Sequence, residues 1–429
     1  MELKDNERIK AYLNSICCEI KNSKIHSDIQ EEFRDHIEEI ALEYMDGGFS
    51  ETEAVNNAIA QMGDAAVIGL ELNTIYKQKP EWSVVILTLI LATVGLSIIF
   101  LIDSSKILGY SLFSKSIAGT LVGLSFGLFL YNFDYMKIKS CSIYIYLITA
   151  MIMVYTIILG ISSNGQPYLF IGMPINFIDI SPTLFIISLA GMLSDFNYSG
   201  VKKILYVLIL LVVPVILMTV GHSLSATLTY CTSVLVLLIM SGVKIKKLCI
   251  FFISSFAAFS FYLFIAPYHM NKLLILLKTN IDPLGKGYFN SQSNELFHSA
   301  GKFGHGLSLK GNALPEAHTD FIFTYIVYTF GWIAGLLLTL LIIAFLVRMA
   351  SITLYVKNSY GKLLIYGFIS IFTVQFLWNI LMNLGFVPIT SMNLPFISYG
   401  NSQFVINMAI IGLISSVYKQ RNIKARATY

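Results

Sequence analysis

Ten predominantly apolar stretches recur along this chain, near 83–102, 111–131, 142–161, 182–194, 203–220, 223–241, 247–267, 321–347, 363–387 and 402–418. About 20 such residues are needed for a helix to cross the hydrocarbon core of a bilayer. In that medium each segment must satisfy its own backbone amides, so the stretches predict spanning helices. Nothing else in the sequence limits the fold as strongly. Of 429 residues, 56% are hydrophobic and 13% charged, about half the charged share of a soluble domain. A chain of this kind cannot cover itself with polar surface. A cytosolic enzyme and a nucleic-acid-binding protein are therefore excluded, and membrane lipids are its expected surroundings. The predicted class is an all-α polytopic membrane protein.

The fourth stretch is short. The fifth and sixth meet at a tight turn, Gly221-His222-Ser223, and the eighth and ninth carry polar residues and glycine that suit a cavity wall. Lysine and arginine set the orientation. With the N-terminus inside, the inner loops carry Lys137, Lys139, Lys202, Lys203, Lys244, Lys246, Lys247, Arg348, Lys357 and Lys362, and the tail adds Lys419, Arg421, Lys424 and Arg426. Short outer loops carry only Lys106 and Lys115. Ten spans then place both termini in the cytoplasm of a cell bounded by this membrane. No secretory signal is expected, because Glu2, Asp5, Glu7 and Glu19 interrupt the start and no apolar core follows. The five cysteines fit no zinc or redox spacing and read as reduced packing residues.

Residues 1–79 are different in kind. They hold 16 acidic and 8 basic residues, a balance of −8, whereas residues 80–429 carry +12. Two domains are expected: a helical head over 1–79 and a membrane domain over 80–429. In the head, Ile9, Leu13, Ile16 and Ile20 fall at helical spacing, as do Ile29, Phe33, Ile37, Ile40 and Tyr44. Ser27 with Gln30 and Ser50 with Glu53 read as capping boxes, and Asp64 is placed to cap a further helix. Gly47-Gly48 and Gly63 read as stops. The pattern Glu32…Asp35-His36…Glu39, then Gly48-Phe49-Ser50…Glu53-Ala54…Ala58-Ile59…Met62-Gly63, resembles the cytoplasmic prefix domain found before some bacterial permeases (HAAS-like). It stands either as a solvated module without chemistry or as a docking and regulatory module for a cytoplasmic partner that the sequence does not name. His36 among carboxylates reads as part of a solvated acidic face.

Residues 268–320 form a long polar stretch rich in Gly, Asn and Ser between two spans. Such a loop is functional or disordered, and composition leaves both readings open. Beyond residue 80 the carboxylates are Glu81, Asp103, Asp134, Asp179, Asp195, Asp282, Glu295, Glu316 and Asp320. Asp134 and Asp195 fall on the inner side. Asp320 lies where the eighth span enters the bilayer, beside Glu316, His318 and Thr319. A carboxylate there needs a partner or a water-filled cavity. It reads either as a helix cap, shared with Thr319, or as a catalytic group.

Leu314-Pro315-Glu316-Ala317-His318-Thr319-Asp320-Phe321-Ile322-Phe323 resembles the signature of the SEDS family (FtsW, RodA, SpoVE). Asn379-Ile380, Asn383, Gly385, Pro388, Thr390 and Leu394-Pro395-Phe396-Ile397-Ser398-Tyr399-Gly400 are similar to its C-terminal pattern. Asp282-Pro283…Gly287-Tyr288…Gln292-Ser293 is similar to its large loop. The likeness is dense over about 280–402 and topological over 83–270. It implies a SEDS fold of about ten transmembrane helices in the bacterial cytoplasmic membrane. The implied activity is a peptidoglycan glycosyltransferase that polymerises lipid II at the outer membrane face, in elongation, division or sporulation, beside a class B penicillin-binding protein. It also implies Asp320 as the catalytic residue. Glu316, His318, Thr319, Asn379, Asn383, Thr390, Ser398 and Tyr399 then become candidate substrate contacts. Asn379 and Asn383 share a helix face and read equally as ties between helices. Outer lysines such as Lys272, Lys278, Lys286, Lys302 and Lys310 suit either a solvated loop or the departure of a lipid diphosphate. No protein metal site is marked. Mg2+ is the divalent cation that diphosphate chemistry would use.

The sequence also departs from the family. Asn401-Ser402-Gln403 stands where Gly-Ser-Ser is usual, and Thr390-Ser391 replaces Thr-Gly. The Glu and Lys expected after the third span are missing, with only Asn164-Gly165 and Ile180-Ser181-Pro182-Thr183 in that region. The Asp expected between spans five and six is lost from Gly221-His222-Ser223-Leu224-Ser225-Ala226. Three readings therefore stand: a divergent polymerase, a flippase for a lipid-linked precursor, and a non-catalytic scaffold or sensor.

Overall fold

The computed structural model describes residues 6–21, 23–75, 81–105, 111–163, 166–172, 174–194, 201–243, 288–307, 314 and 316–421. The chain divides into two compact units, Met1–Pro80 with Lys419–Tyr429, and Glu81–Tyr418.

The first unit is a helical bundle: α1 (Glu7–Glu19), α2 (His26–Asp46), α3 (Glu51–Met62) and α4 (Ala65–Ile75). Ile9, Leu13, Ile37, Ile40, Ala41, Val55 and Ala58 form one buried cluster. Ile16, Ile20, Ile25 and Ile29 form a second, closed by Ala65, Ile68 and Leu72. Ser50 and Glu53 make the expected reciprocal capping box, and Asp64 Oδ1 accepts from Ala66 N at 2.7 Å. The expected box at Ser27 does not form. α2 starts two residues earlier than that box requires, with Ile25 at the cap position, and Gln30 instead donates to Asn14 Oδ1 at 3.1 Å. A cross-helix partner wins over the local one.

The second unit holds α5 (Trp82–Ser104), α6 (Phe113–Asn132), α7 (Tyr135–Ser140), α8 (Ser142–Leu159), α9 (Phe177–Leu193), α10 (Val201–Val220) and α11 (Leu224–Met240). After them come α12 (Tyr288–Ser299), α13 (Ile322–Ile352), α14 (Ser359–Asn383) and α15 (Asn401–Lys419). Nine of the expected spans coincide with helices, six of them long and apolar enough by themselves to cross a bilayer. The tenth expectation, 247–267, lies outside the described residues, as do Asn164-Gly165, Asp195, Lys244, Lys246, Lys247, Cys249, Asp282-Pro283 and Gly285. So do Lys106, Lys272, Lys278, Lys286, Gly287, Lys310, Pro315, Lys424 and Arg426. The ninth span ends at Asn383, and residues 384–400 are irregular. A three-stranded antiparallel meander, not expected from the sequence, follows α8: β1 (Ile161–Ser163), β2 (Gln166–Phe170) and β3 (Pro174–Ile175).

α9 is buried on nearly every face and packs against α8, α11 and α14. It carries Pro182, which cannot donate to the Ile178 carbonyl four residues back. Ser181 Oγ takes that carbonyl at 2.7 Å. Pro214 in α10 likewise frees the Leu210 carbonyl, and Tyr146 of α8 donates to it at 2.9 Å. Both prolines are thus tolerated in an apolar medium because a hydroxyl replaces the missing amide.

α13 breaks at Gly331 (φ 86°, ψ 172°), a conformation closed to other residues at low energy. The segment after α12 docks onto the break. His305 N and Gly306 N donate to Tyr328 O and Thr329 O at 2.9 and 3.0 Å, and Trp332 N donates to Gly301 O at 3.1 Å. A Cβ at Gly331 would overlap the Lys302 carbonyl, and one at Gly304 the Thr329 carbonyl. This part of the long loop is therefore bonded structure. At the other end of α13, Arg348 bonds Glu81 at 2.8 and 3.0 Å, with Glu81 buried.

Candidate active site at the entrance of the eighth span

The stretch before α13 folds into a tight turn. Glu316 takes a positive φ of 54°, and its carbonyl accepts from Thr319 N at 3.1 Å and Phe321 N at 3.2 Å. Its carboxylate accepts from Thr319 Oγ1 at 2.7 Å. The carbonyls of His318, Thr319 and Asp320 are each held from outside. Tyr399 N donates to His318 O at 2.8 Å, and Ser398 Oγ to Thr319 O at 2.7 Å. Asn379 Nδ2 and Asn383 Nδ2 donate to Asp320 O at 3.0 and 2.9 Å. Asn379 also donates to Met392 O at 2.7 Å.

The start of α13 is capped from a neighbouring helix. Asn383 Oδ1 accepts from Thr324 N at 3.1 Å and from Thr324 Oγ1 at 2.6 Å. Ser293 of α12 bonds both Thr324 Oγ1, at 2.8 Å, and Asn383 O, at 3.1 Å. The residue at the cap position is Phe321, which supplies no side-chain bond. Neither Thr319 nor Asp320 caps the helix, so that reading of the sequence is corrected. Among the described residues the Asp320 carboxylate accepts no hydrogen bond. It is half-buried, and its pKa is raised to about 7, first by burial, then by the negative charges of Glu316 and Asp179.

His318 is buried against Tyr399, ring centroids 5.7 Å apart, and burial lowers its pKa against the opposing pull of Glu316. Its ring is neutral at pH 7. Ser398 and Tyr399 line a cavity of about 20 Å3. Thr390 is apart from the turn: its amide donates to Met382 Sδ at 3.2 Å, and its buried hydroxyl has no partner. Lys302 is exposed.

Several residues here were missed in the sequence. Asp179 sits in the first turn of α9. Its Oδ1 accepts from Ser223 and Ser225, at 2.5 and 3.2 Å, and its Oδ2 from Asn176 at 2.6 Å. The Gly221–Ala226 turn, which lost its own Asp, thus supplies hydroxyls to a carboxylate carried by another helix. Tyr168 of β2 stands near this group. Burial, then the charge of Asp179, raises its phenol pKa, so it stays protonated. The available signal was the Ser223-x-Ser225 hydroxyl pair before α11 and Asp179 as the one carboxylate of α9.

Fold and turn together define a polytopic helical membrane protein that presents a carboxylate at the mouth of a span. Residues 81–423 match the cell cycle protein family of FtsW, RodA and SpoVE, and the chain belongs to that family. Similar curated relatives include peptidoglycan glycosyltransferase MrdB of Escherichia coli K12, 28% identical over 226 residues, 51% of this chain and 61% of the relative. Peptidoglycan glycosyltransferase RodA of Treponema pallidum is 35% identical over 156 residues, 35% of this chain and 36% of the relative. Stage V sporulation protein E of Bacillus subtilis is 31% identical over 186 residues, 43% of this chain and 51% of the relative. The matched stretches thus span less than two thirds of these relatives' lengths. Among solved structures, a chain of a peptidoglycan synthase complex superposes with a TM-score of 0.68 at 20% identity, over 80% of this chain and 99% of that one. The rod shape determining protein RodA of Thermus thermophilus superposes with a TM-score of 0.62 at 19% identity, over 81% and 99%. At such identities the likeness is one of fold.

Proposed function

We propose that the chain is a peptidoglycan glycosyltransferase that polymerises lipid II at the outer face of the cytoplasmic membrane, with Asp320 as general base. One observation carries the reading: the Asp320 carbonyl is held by two carboxamides, Asn379 and Asn383, while its carboxylate accepts no hydrogen bond among the described residues and its pKa is raised to about 7. A base poised at the working pH is ionised in a large fraction of molecules and still accepts a proton strongly. Asp320 takes the proton from the acceptor sugar hydroxyl as that oxygen attacks the anomeric carbon of the lipid-linked donor. The bond from that carbon to the diphosphate oxygen breaks, and the lipid diphosphate leaves.

Glu316, which is exposed, and Thr319 and Tyr399, which are half-buried, are the proposed saccharide contacts, with His318 as a neutral donor or acceptor. Asn379, Asn383 and Ser398 support the turn from beneath. The described residues hold no group of three or more His, Cys, Asp or Glu side chains suited to a metal ion. Mg2+ enters this reading as the counter-ion of the diphosphate, which brings its own phosphate oxygens. Both termini are cytoplasmic in this reading. A class B penicillin-binding protein is the partner outside, and the HAAS-like head docks a cytoplasmic regulator.

The test is polymerisation of labelled lipid II by the purified protein, alone and with each class B penicillin-binding protein of its host, against Asp320→Asn and Asp320→Ala. Glycan strands that vanish in both variants are expected. Folded protein that binds lipid II yet makes no strands with any partner would overturn the enzyme reading.

A further inference from the structure

α14 carries Gln375, Asn379 and Asn383 one turn apart on a single face. Asn379 and Asn383 are engaged by the turn at Asp320. Gln375 is not: only 9% exposed, its side-chain oxygen has no hydrogen-bond partner. A buried amide oxygen left in this state is destabilising unless something fills its place.

Gln375 lines a cavity of about 30 Å3 together with Asp179, Ser225, Thr229, Ser391 and Asn393. Five segments converge there: α9, α11, α14, the irregular stretch after α14 and, through Gln403, α15. The carboxylate of Asp179 has about four lone-pair directions, and three are taken by Ser223, Ser225 and Asn176. None of those partners is cationic. An ionisable group at this depth faces a cavity or a partner and marks a functional site by default.

Size and charge select the occupant. A volume of about 30 Å3 admits roughly two water-sized groups, too few for a sugar ring. Asp179 repels an anion. Mg2+ keeps several of its waters and Ca2+ takes 6–8 oxygens, and this cavity has neither the room nor a second carboxylate. With Asp179 ionised, one carboxylate, hydroxyls and amide oxygens form a hard, all-oxygen set of net charge −1. A single bare monovalent cation neutralises it.

We propose that this cavity binds one monovalent cation of the sodium class, through the Asp179 carboxylate, the Ser225 and Thr229 hydroxyls and the Gln375 side-chain oxygen. The cation ties α9 and α11 to α14 directly beside the turn that carries Asp320. Its occupancy also cancels the charge that Asp179 projects toward that turn, so the state of the site reaches the reaction centre without touching substrate. The proposal stands apart from the glycosyltransferase reading, since binding is measured without lipid II.

The full chain, purified into lipid nanodiscs in choline chloride, is titrated with NaCl at constant ionic strength while thermal unfolding is followed. Equilibrium binding of 22Na+ is measured in parallel. The expected result is a saturable rise of several degrees in Tm and close to one 22Na+ per chain. Both are lost in Asp179→Asn and Gln375→Leu and kept in the exposed Lys302→Ala. If Asp179→Asn fails to fold, Gln375→Leu and Thr229→Val carry the test. Equal Tm in sodium and choline with no 22Na+ bound would mean a water-filled cavity and overturn the proposal. So would a rise that persists in the variants, or one that Mg2+ produces and Na+ does not.

Discussion

Asn383→Leu separates a supporting role for this amide from a substrate contact. Asn383 is 1% exposed, and its side chain makes three bonds outside its own helix, to Thr324 N, Thr324 Oγ1 and Asp320 O. Thr324 lies third in α13, so its N–H is one that a helix start leaves without an internal partner. Losing a cap of this kind costs about 1 kcal/mol. Each interhelical bond in a membrane protein adds roughly 0.6–1.7 kcal/mol. Leucine keeps the branching at Cγ and is no smaller, so no cavity opens, and the total is roughly 2–4 kcal/mol. Asn379 still holds the Asp320 carbonyl, so the turn shifts without collapsing. A displacement of about 1 Å at a catalytic group costs on the order of 10²-fold in rate. Thermal unfolding in nanodiscs and lipid II polymerisation, with kcat and KM separated, read both effects. A lower Tm with kcat reduced on the order of 10²-fold and KM little changed is expected. Wild-type Tm and kcat with a raised KM would refute the reasoning and make Asn383 a substrate contact.

Three further outcomes follow from the geometry. Gly331→Ala should destabilise the chain by roughly 3–6 kcal/mol, from the strain of a positive φ and the loss of the bonds that dock residues 301–306. Hydrogen exchange at His305, Gly306 and Trp332 should accelerate, and unchanged protection would show the docking to be dispensable. Glu316→Gln removes a like charge beside Asp320, so the Asp320 pKa falls. The base must be ionised to work, so the acid limb of the polymerisation profile should move down by roughly half a pH unit; a shift upward or none at all would contradict the stated cause. Arg348→Ala leaves the Glu81 carboxylate buried and unpaired, a loss on the order of 3 kcal/mol. Glu81→Gln in the same chain should recover most of it, as unfolding curves of the single and double variants would show.

The spans were legible because a long apolar run has few alternatives in sequence, but their ends were less so: the fourth starts at Phe177, five residues before the expected 182, and the eighth runs on through Arg348 to Ile352. The turn at Asp320 was legible as a motif, but its support was only half so. Asn379 and Asn383 could be placed on one face, yet nothing in the chain announced that both grip a backbone carbonyl 59 and 63 residues away. Asp179 stayed hidden for the same reason. It reads locally as a polar residue at a helix start, and its hydroxyl partners lie 44 and 46 residues downstream. Gln375 extends the Asn379–Asn383 spacing by one turn, a signal present in the sequence and not used. The break at Gly331 had no local mark, since glycine is common in membrane helices and its partners come from the loop at 301–306.

His318, Thr319 and Asp320 are gripped by their carbonyl oxygens. A grip on the main chain is indifferent to what the side chains are. It lets the surroundings drift, so long as an amide at position 399, a hydroxyl at 398 and two carboxamides on α14 survive. The replacement that begins at Asn401 leaves the Tyr399 amide in place. A lineage can therefore rewrite the walls of this site, and with them what the site accepts, while the carboxylate keeps its position.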